Sequence, residues 1–130
     1  MRWVWTWLSL LGLVWAAGCL HEASSPDLVL GPDDRGREVT LEVGQVIEVH
    51  LPANPSTGYT WLVKDGAPGP VVLVAEPAFT PEAQRPGAGG TLVLRFRAVT
   101  QGETRVRLTY QRPWETGEPA EEFDFRVIVR

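Results

Sequence analysis

The sequence predicts an all-β sandwich, and three observations carry the prediction. From Glu38 onward apolar and polar residues alternate almost without interruption, which is the period of a strand with one buried face. Clusters containing Gly, Pro and Asn cut that alternation into short pieces, and no piece is long enough, or correctly spaced, to make an amphipathic helix. About seven short strands in roughly 95 residues are the signature of an immunoglobulin-like β-sandwich.

The elements follow in chain order. Arg2 precedes an uncharged run from Trp3 to Gly18, which ends in the small residues Ala16, Ala17 and Gly18. A positive start, an apolar stretch and small residues before a break mark a secretory signal peptide. At ~1.5 Å per residue the run spans about 24 Å, short of the roughly 30 Å hydrocarbon core of a bilayer. Residues 1–18 are therefore read as a signal, residues 19–37 as a polar, turn-rich tether in which Leu28-Val29-Leu30 could add a short first strand, and residues 38–130 as the sandwich domain.

Within the domain, Val39, Leu41 and Val43 alternate with Thr40 and Glu42. Gly44-Gln45 makes a turn, and Ile47, Val49 and Leu51 alternate with Glu48 and His50, so the pair reads as a hairpin with one apolar face. Further strands are expected at Thr60–Lys64, Val71–Ala75, Thr91–Val99, Thr104–Gln111 and Glu121–Val129. The inward sets of the last three are Leu92, Leu94 and Phe96; Val106, Leu108 and Tyr110; and Phe123, Phe125, Val127 and Val129. Thr100-Gln101-Gly102-Glu103 is a turn signal that would tie two of these strands into a second hairpin. Arg95 and Arg97 would then lie near Arg105 and Arg107, as a basic stripe or as charges partnered across a solvated sheet face.

The chain has 130 residues and a mass of 14.4 kDa, the size of one domain. It has a formal net charge of −4, and loss of Arg2 with the signal makes the acidic excess larger still. That balance argues against nucleic acid as a partner, because phosphate binding rests on clustered Lys and Arg. The single cysteine, Cys19, excludes an internal disulfide. With one thiol and only His21 and His50 as imidazoles, neither a zinc site nor a Cys-His nucleophile is expected, and the chain calls for no cofactor. The neighbouring carboxylates Glu121 and Glu122 do not make an acid-base pair, because adjacent strand residues point to opposite faces. The chain is not expected to be an enzyme.

Three loops carry more than a connection needs. Asn54-Pro55-Ser56-Thr57-Gly58-Tyr59 joins two strands. Pro55 fixes its own φ and restricts Asn54, and Gly58 permits a positive φ, so the loop should be stiff and projecting. A stiff loop loses less entropy on binding. In Arg85-Pro86-Gly87-Ala88-Gly89-Gly90 the three glycines leave the backbone uncovered for close approach to a partner. Trp114, in Arg112-Pro113-Trp114, stands before a polar, turn-rich stretch where a core residue has no place, and Trp and Arg are enriched at binding hot spots. Successive loops of a sandwich alternate between its ends. Counted from the strand at Val39, the three loops follow strands two, four and six, so all should sit at one end.

At these residues the sequence resembles the chagasin-type inhibitors of papain-like cysteine peptidases. Asn-Pro-Ser-Thr-Gly-Tyr, Gly-Ala-Gly-Gly and Arg-Pro-Trp occur in that order on alternate loops, and the resemblance runs from about Val39 to Val129. The family pattern usually has Thr where Ser56 stands. The resemblance implies a three-loop wedge acting as a reversible, non-covalent competitive inhibitor. Asn54, Pro55, Ser56, Thr57, Gly58 and Tyr59 would cover the catalytic Cys and His of the peptidase, with Ser56 and Thr57 supplying polar contacts. Gly87, Ala88, Gly89 and Gly90 would run along the non-primed side of the cleft, and Trp114 would pack on the primed side, held by Arg112 and Pro113. A monomer is expected. The competing reading is a structural or adhesive immunoglobulin-like module of the bacterial cell envelope.

Ala16-Ala17-Gly18-Cys19 resembles the lipobox of bacterial lipoproteins, with Ala16 where Leu is usual. That likeness implies a lipid on Cys19, which would become the first residue of the mature chain and anchor it to a membrane. Leu20 in place of the Asp that retains many such proteins at the inner membrane favours the outer one. Alternatively Cys19 is the last apolar residue of an ordinary signal peptide cut elsewhere, and the protein is secreted.

Overall fold

The computed structural model describes residues 25–130. Cys19 and the signal segment fall outside them. Nine strands form two sheets: β1 (Leu28–Leu30), β2 (Glu38–Leu41), β3 (Val46–Ala53), β4 (Thr60–Asp65), β5 (Val71–Leu73), β6 (Ala78–Pro81), β7 (Gly90–Ala98), β8 (Gly102–Gln111) and β9 (Glu121–Val129). One sheet has the order β1-β3-β7-β5, with β6 also paired to β7, and the other the order β2-β9-β8-β4. Short 3-10 turns occupy Pro32–Asp34 and Pro55–Thr57. The architecture is the immunoglobulin-like sandwich that the alternation predicts, and Leu28–Leu30 joins it with Leu30 fully buried.

The core is the alternation made solid. Leu92, Leu94 and Phe96 from one sheet face Val106, Leu108, Phe123, Phe125 and Val127 from the other, all buried. Phe125 packs edge-on against Phe96 at 6.0 Å between centroids, and Phe123 lies 6.2 Å from Phe125, geometry that aromatic quadrupoles favour.

Neither expected hairpin forms. Glu38–Leu41 pairs in parallel with β9, while Val46–Ala53 pairs with β7 and β1 in the opposite sheet. The turn at Gly44, with φ +95, carries the chain across the sandwich, and Val43 is exposed at the crossing, outside the strand. Likewise β7 and β8 belong to different sheets, so Val99–Gly102 is a second crossing. Period-two patterning says which face of a strand is buried, and two strands facing each other across a core satisfy it as well as two strands side by side.

That correction removes the basic stripe. Arg95 and Arg97 lie on one sheet, Arg105 and Arg107 on the other. The charges are partnered locally: Arg95 with Glu48 at 3.0 Å, Arg105 with Asp124, Arg107 with Asp65 at 2.9 Å and Arg126 with Glu103. His50 Nε2 meets Glu48 Oε1 at 2.9 Å on the same outer face.

The edge strand beside β7 is broken in two. β5 ends at Leu73, short of the expected Ala75, and Ala78–Pro81 forms a strand where the sequence suggests only a connection. Glu76-Pro77 separates the pieces, and a proline is tolerated at a sheet edge because no ladder partner needs its missing N–H. β6 then lies directly on Gly90. A Cβ there would run into the Thr80 carbonyl and would come within 2.8 Å of Pro81 Cα and 2.9 Å of the Phe79 ring. Gly90→Ala is expected to lower stability by about 2 kcal/mol, because two backbones must separate; a thermal melt should show a midpoint roughly 10 °C lower.

Candidate functional site

The three loops meet at one end of the sandwich. β3 and β8 both run toward that end, and Ala53 and Gln111 are their last residues. The strands deliver the backbone, and side-chain bonds between the loops fix the rest.

Asn54 organises the first loop. As N-cap of the 3-10 turn, its Oδ1 accepts from the Ser56 N–H at 3.2 Å and from Ser56 Oγ at 2.6 Å. Its carbonyl accepts from the Thr57 N–H at 3.2 Å and from Thr57 Oγ1 at 2.7 Å. Pro55 sits at the first turn position, where a missing N–H costs nothing. Gly58 ends the turn at φ +83, with its N–H on the Pro55 carbonyl at 3.0 Å. Both hydroxyls that the sequence offers to a partner, Ser56 and Thr57, spend their protons inside the loop, and Thr57 Oγ1 also accepts from the Tyr59 N–H at 3.4 Å, so what each has left to offer is acceptor capacity.

The same residue ties the first loop to the second. Asn54 Nδ2 donates to the Gly87 carbonyl at 3.2 Å. The second loop is a hairpin connection between β6 and β7, closed by the Glu82 N–H on the Gly89 carbonyl at 3.0 Å. Its glycines differ in role. Gly87 is exposed at φ +76, and Gly89 is half-buried with room for a Cβ, whose nearest neighbour would be the Ala53 carbonyl at 3.6 Å. Gly90 is buried under β6, so its backbone is covered rather than open. Ala88 lies between them, half-buried.

Arg112 ties the first loop to the third. Its Nε donates to the Thr57 carbonyl at 3.0 Å, its guanidinium carbon lies 4.7 Å from the centre of the Tyr59 ring, and one terminal nitrogen meets Glu115 Oε1 at 3.0 Å. Pro113 follows, and Trp114 is 71% exposed. One edge of its indole nevertheless lies on the first loop: a Cβ on Gly58 would be 2.6 Å from Trp114 Cη2. Glycine at 58 therefore serves both the left-handed turn and the seat of the tryptophan.

Beneath the loops a stack the sequence only half reveals supports them. Tyr110, assigned there to the inward set, is half-buried between Tyr59 and Trp61, with ring centroids 5.4 and 5.1 Å away. Its hydroxyl accepts from the Asn54 N–H at 3.1 Å. Trp61 Nε1 donates to the Pro52 carbonyl at 3.0 Å. The signal available was a pair of aromatics, Tyr59 and Trp61, where the first loop returns to a strand, and a third, Tyr110, where a strand leads into the last loop. None of residues 54–59, 87–90 and 112–114 is His, Cys, Asp or Glu, and the neighbouring carboxylate of Glu115 is paired with Arg112 at 3.0 Å. The edge is shaped to dock rather than to react.

Such an edge on an immunoglobulin-like sandwich defines a binding protein. Residues 40–129 match the model of the chagasin family of peptidase inhibitors, family I42, and the chain belongs to that family; it is an inhibitor and not an enzyme. It is similar to chagasin of Trypanosoma cruzi, at 34% identity over 99 residues that span 73% of this chain and 89% of the relative. A cysteine protease inhibitor from Entamoeba histolytica has the same fold, with a TM-score of 0.69 at 24% identity, covering 82% of this chain and 100% of that structure. PbICP-C, solved in complex with falcipain-2, is also similar, with a TM-score of 0.52 at 18% identity over 85% of this chain and 96% of that one.

Arg112→Lys keeps the charge but loses the planar fork that serves Thr57, Tyr59 and Glu115 together. With one net hydrogen bond of about 1 to 1.5 kcal/mol removed, amide exchange at Gly58 should quicken roughly fivefold to tenfold while the melting temperature stays nearly constant. Unchanged exchange would show that the turn holds itself.

Proposed function

We propose that the protein is a reversible, non-covalent, competitive inhibitor of papain-like cysteine peptidases that occludes the active-site cleft with three loops. The observation that carries this reading is the stitching of the loops: Asn54 to Gly87 and Arg112 to Thr57 hold a convex edge in one shape before any partner arrives. Preorganisation of that kind lowers the entropy cost of docking, which at a standard interface of about 1,600 Å² decides affinity more than area does.

In this reading Asn54 to Tyr59 cover the catalytic Cys and His of the peptidase. Ser56 and Thr57 offer acceptor oxygens, which suit the imidazolium of a Cys-His ion pair better than donors would. Gly87, Ala88 and Gly89 let their backbone run along one side of the cleft. Trp114, the largest exposed apolar side chain among the described residues, packs on the other side, with Arg112 and Pro113 behind it. No bond to the catalytic sulfur forms, because the edge presents no electrophile held for attack. The inhibitor works as a monomer, and Cys19 carries the lipid that holds it at the cell envelope.

The direct test is papain turnover in the presence of the protein. Competitive inhibition with full recovery on dilution is the expected result, and undiminished turnover at micromolar protein would favour an adhesive module instead. Trp114→Ala should raise the inhibition constant about thirtyfold, equivalent to roughly 2 kcal/mol. Gly89→Val should leave the melting temperature close to wild type, since the Cβ has space, yet weaken inhibition by keeping the partner's backbone away; equal potency would make the second loop a bystander.

A further inference from the structure

The end of the sandwich opposite the three loops differs from the rest of the surface. Its crossings are Val43–Gln45, Gly66–Pro70 and Val99–Gly102, and none of these residues is charged in a chain that is 22% charged. They form one continuous surface: the Gly44 N–H reaches the Ala98 carbonyl at 2.7 Å, the Ala98 N–H reaches Gln45 at 2.9 Å, and the Val99 N–H reaches Pro70 at 2.9 Å. Val43 and Val99 are among the few large apolar side chains left exposed among the described residues, at 51% and 41%. An open apolar cleft of about 240 Å³, lined by Val63, Ala67, Pro68, Val72 and Leu73, continues from the same end up the side between β4 and β5. The exposed charges Asp27, Glu42, Asp65, Glu103 and Arg130 flank these crossings, so the uncharged surface is bounded by charge.

The chain reaches its first strand at this same end. β1 runs parallel to β3, with Leu28 opposite Ile47. Asp27 is fastened to the start of β3 at both of its polar groups: its N–H donates to the Val46 carbonyl at 2.8 Å, and its Oδ2 accepts from the Val46 N–H at 2.8 Å. β3 then travels eight residues, about 26 Å, before it reaches Asn54. From Cys19 to Asp27 a chain extends at most about 29 Å. That length roughly equals the height of the sandwich. A tether fixed at Cys19 cannot run back along the domain and still leave room for a peptidase between the loops and the anchor.

We propose that the uncharged end is a membrane-facing surface, on which the sandwich rests against the phospholipid layer that holds its own anchor, with the three loops directed away from the lipid. The inference rests on the reading of Cys19 as the lipidated residue. Val43, Val99 and the Pro68 end of the cleft then meet the headgroup boundary, and the inhibitor acts on peptidases in the surrounding fluid without leaving its membrane.

The test is hydrogen exchange on the full chain held in phosphatidylethanolamine and phosphatidylcholine vesicles, compared with the same chain in solution. The mass of the Cys19 peptide reports separately whether lipid is present. If it is absent, a maleimide lipid coupled to this single thiol supplies the anchor, so that the surface is tested even where native lipidation fails. Exchange is expected to slow several-fold over residues 42–45 and 99–102 and to stay unchanged over 54–58 and 83–89, with the inhibition constant for papain equal in both forms. Slowing at the three loops, or none at 42–45 and 99–102, overturns the proposal. Slowing that appears only at high protein density on the vesicle assigns the surface to a second copy of the chain and overturns it as well. A wild-type chain that fails to inhibit papain in solution would instead count against the inhibitor reading and leave the exchange result to stand by itself.

Discussion

Asn54 is the residue on which the three-loop edge depends. Its side-chain oxygen closes the turn, its side-chain nitrogen holds the second loop at Gly87, its carbonyl takes both the N–H and the hydroxyl of Thr57, and its own N–H is fixed by Tyr110. Few residue types could do this. An Asp at the position would close the turn but, when ionised, has no donor for Gly87, and a Ser or Thr would lack the reach. The third loop depends on the result, because Arg112 binds the Thr57 carbonyl that the Asn54 turn puts in place.

Much of this was legible in the sequence. Alternation located all seven expected strands, and Pro55, Gly58 and Trp114 marked their loops as unusual. The placement of the loops at one end followed from counting, and the count survives because β5 and β6 together occupy the position of one edge strand. Which strands pair was not legible. Val39 and Ile47 show the same inward pattern whether they are neighbours in a sheet or face each other across a core, and the choice is made by contacts far apart in the chain. The role of Gly90 was also hidden. Three glycines in four positions look alike in sequence, yet one is buried beneath a strand whose existence the Glu76-Pro77 break obscures.

Charge is distributed to keep the two ends distinct. The outer face of the β2-β9-β8-β4 sheet carries Arg and Glu or Asp in cross-strand pairs, exposed enough that each contributes little to stability, and the other sheet carries the partly buried pair Arg95–Glu48. Their effect is to make the flanks strongly hydrated. The two ends differ from them and from each other, one built of stitched loops with an exposed tryptophan, the other of uncharged crossings with two exposed valines.

The parallel pairing of β1 with β3 has a mechanical consequence. In the proposed arrangement, a peptidase gripping the loops and an anchor at Cys19 would load the domain along its strand axis, in opposite directions. Because β1 enters at the far end and runs the same way as β3, that load falls on their hydrogen bonds in shear, all at once, rather than peeling them one after another. Strands arranged this way resist far larger forces than a zipper, so the first strand, short as it is, acts as the fitting through which tension enters the domain.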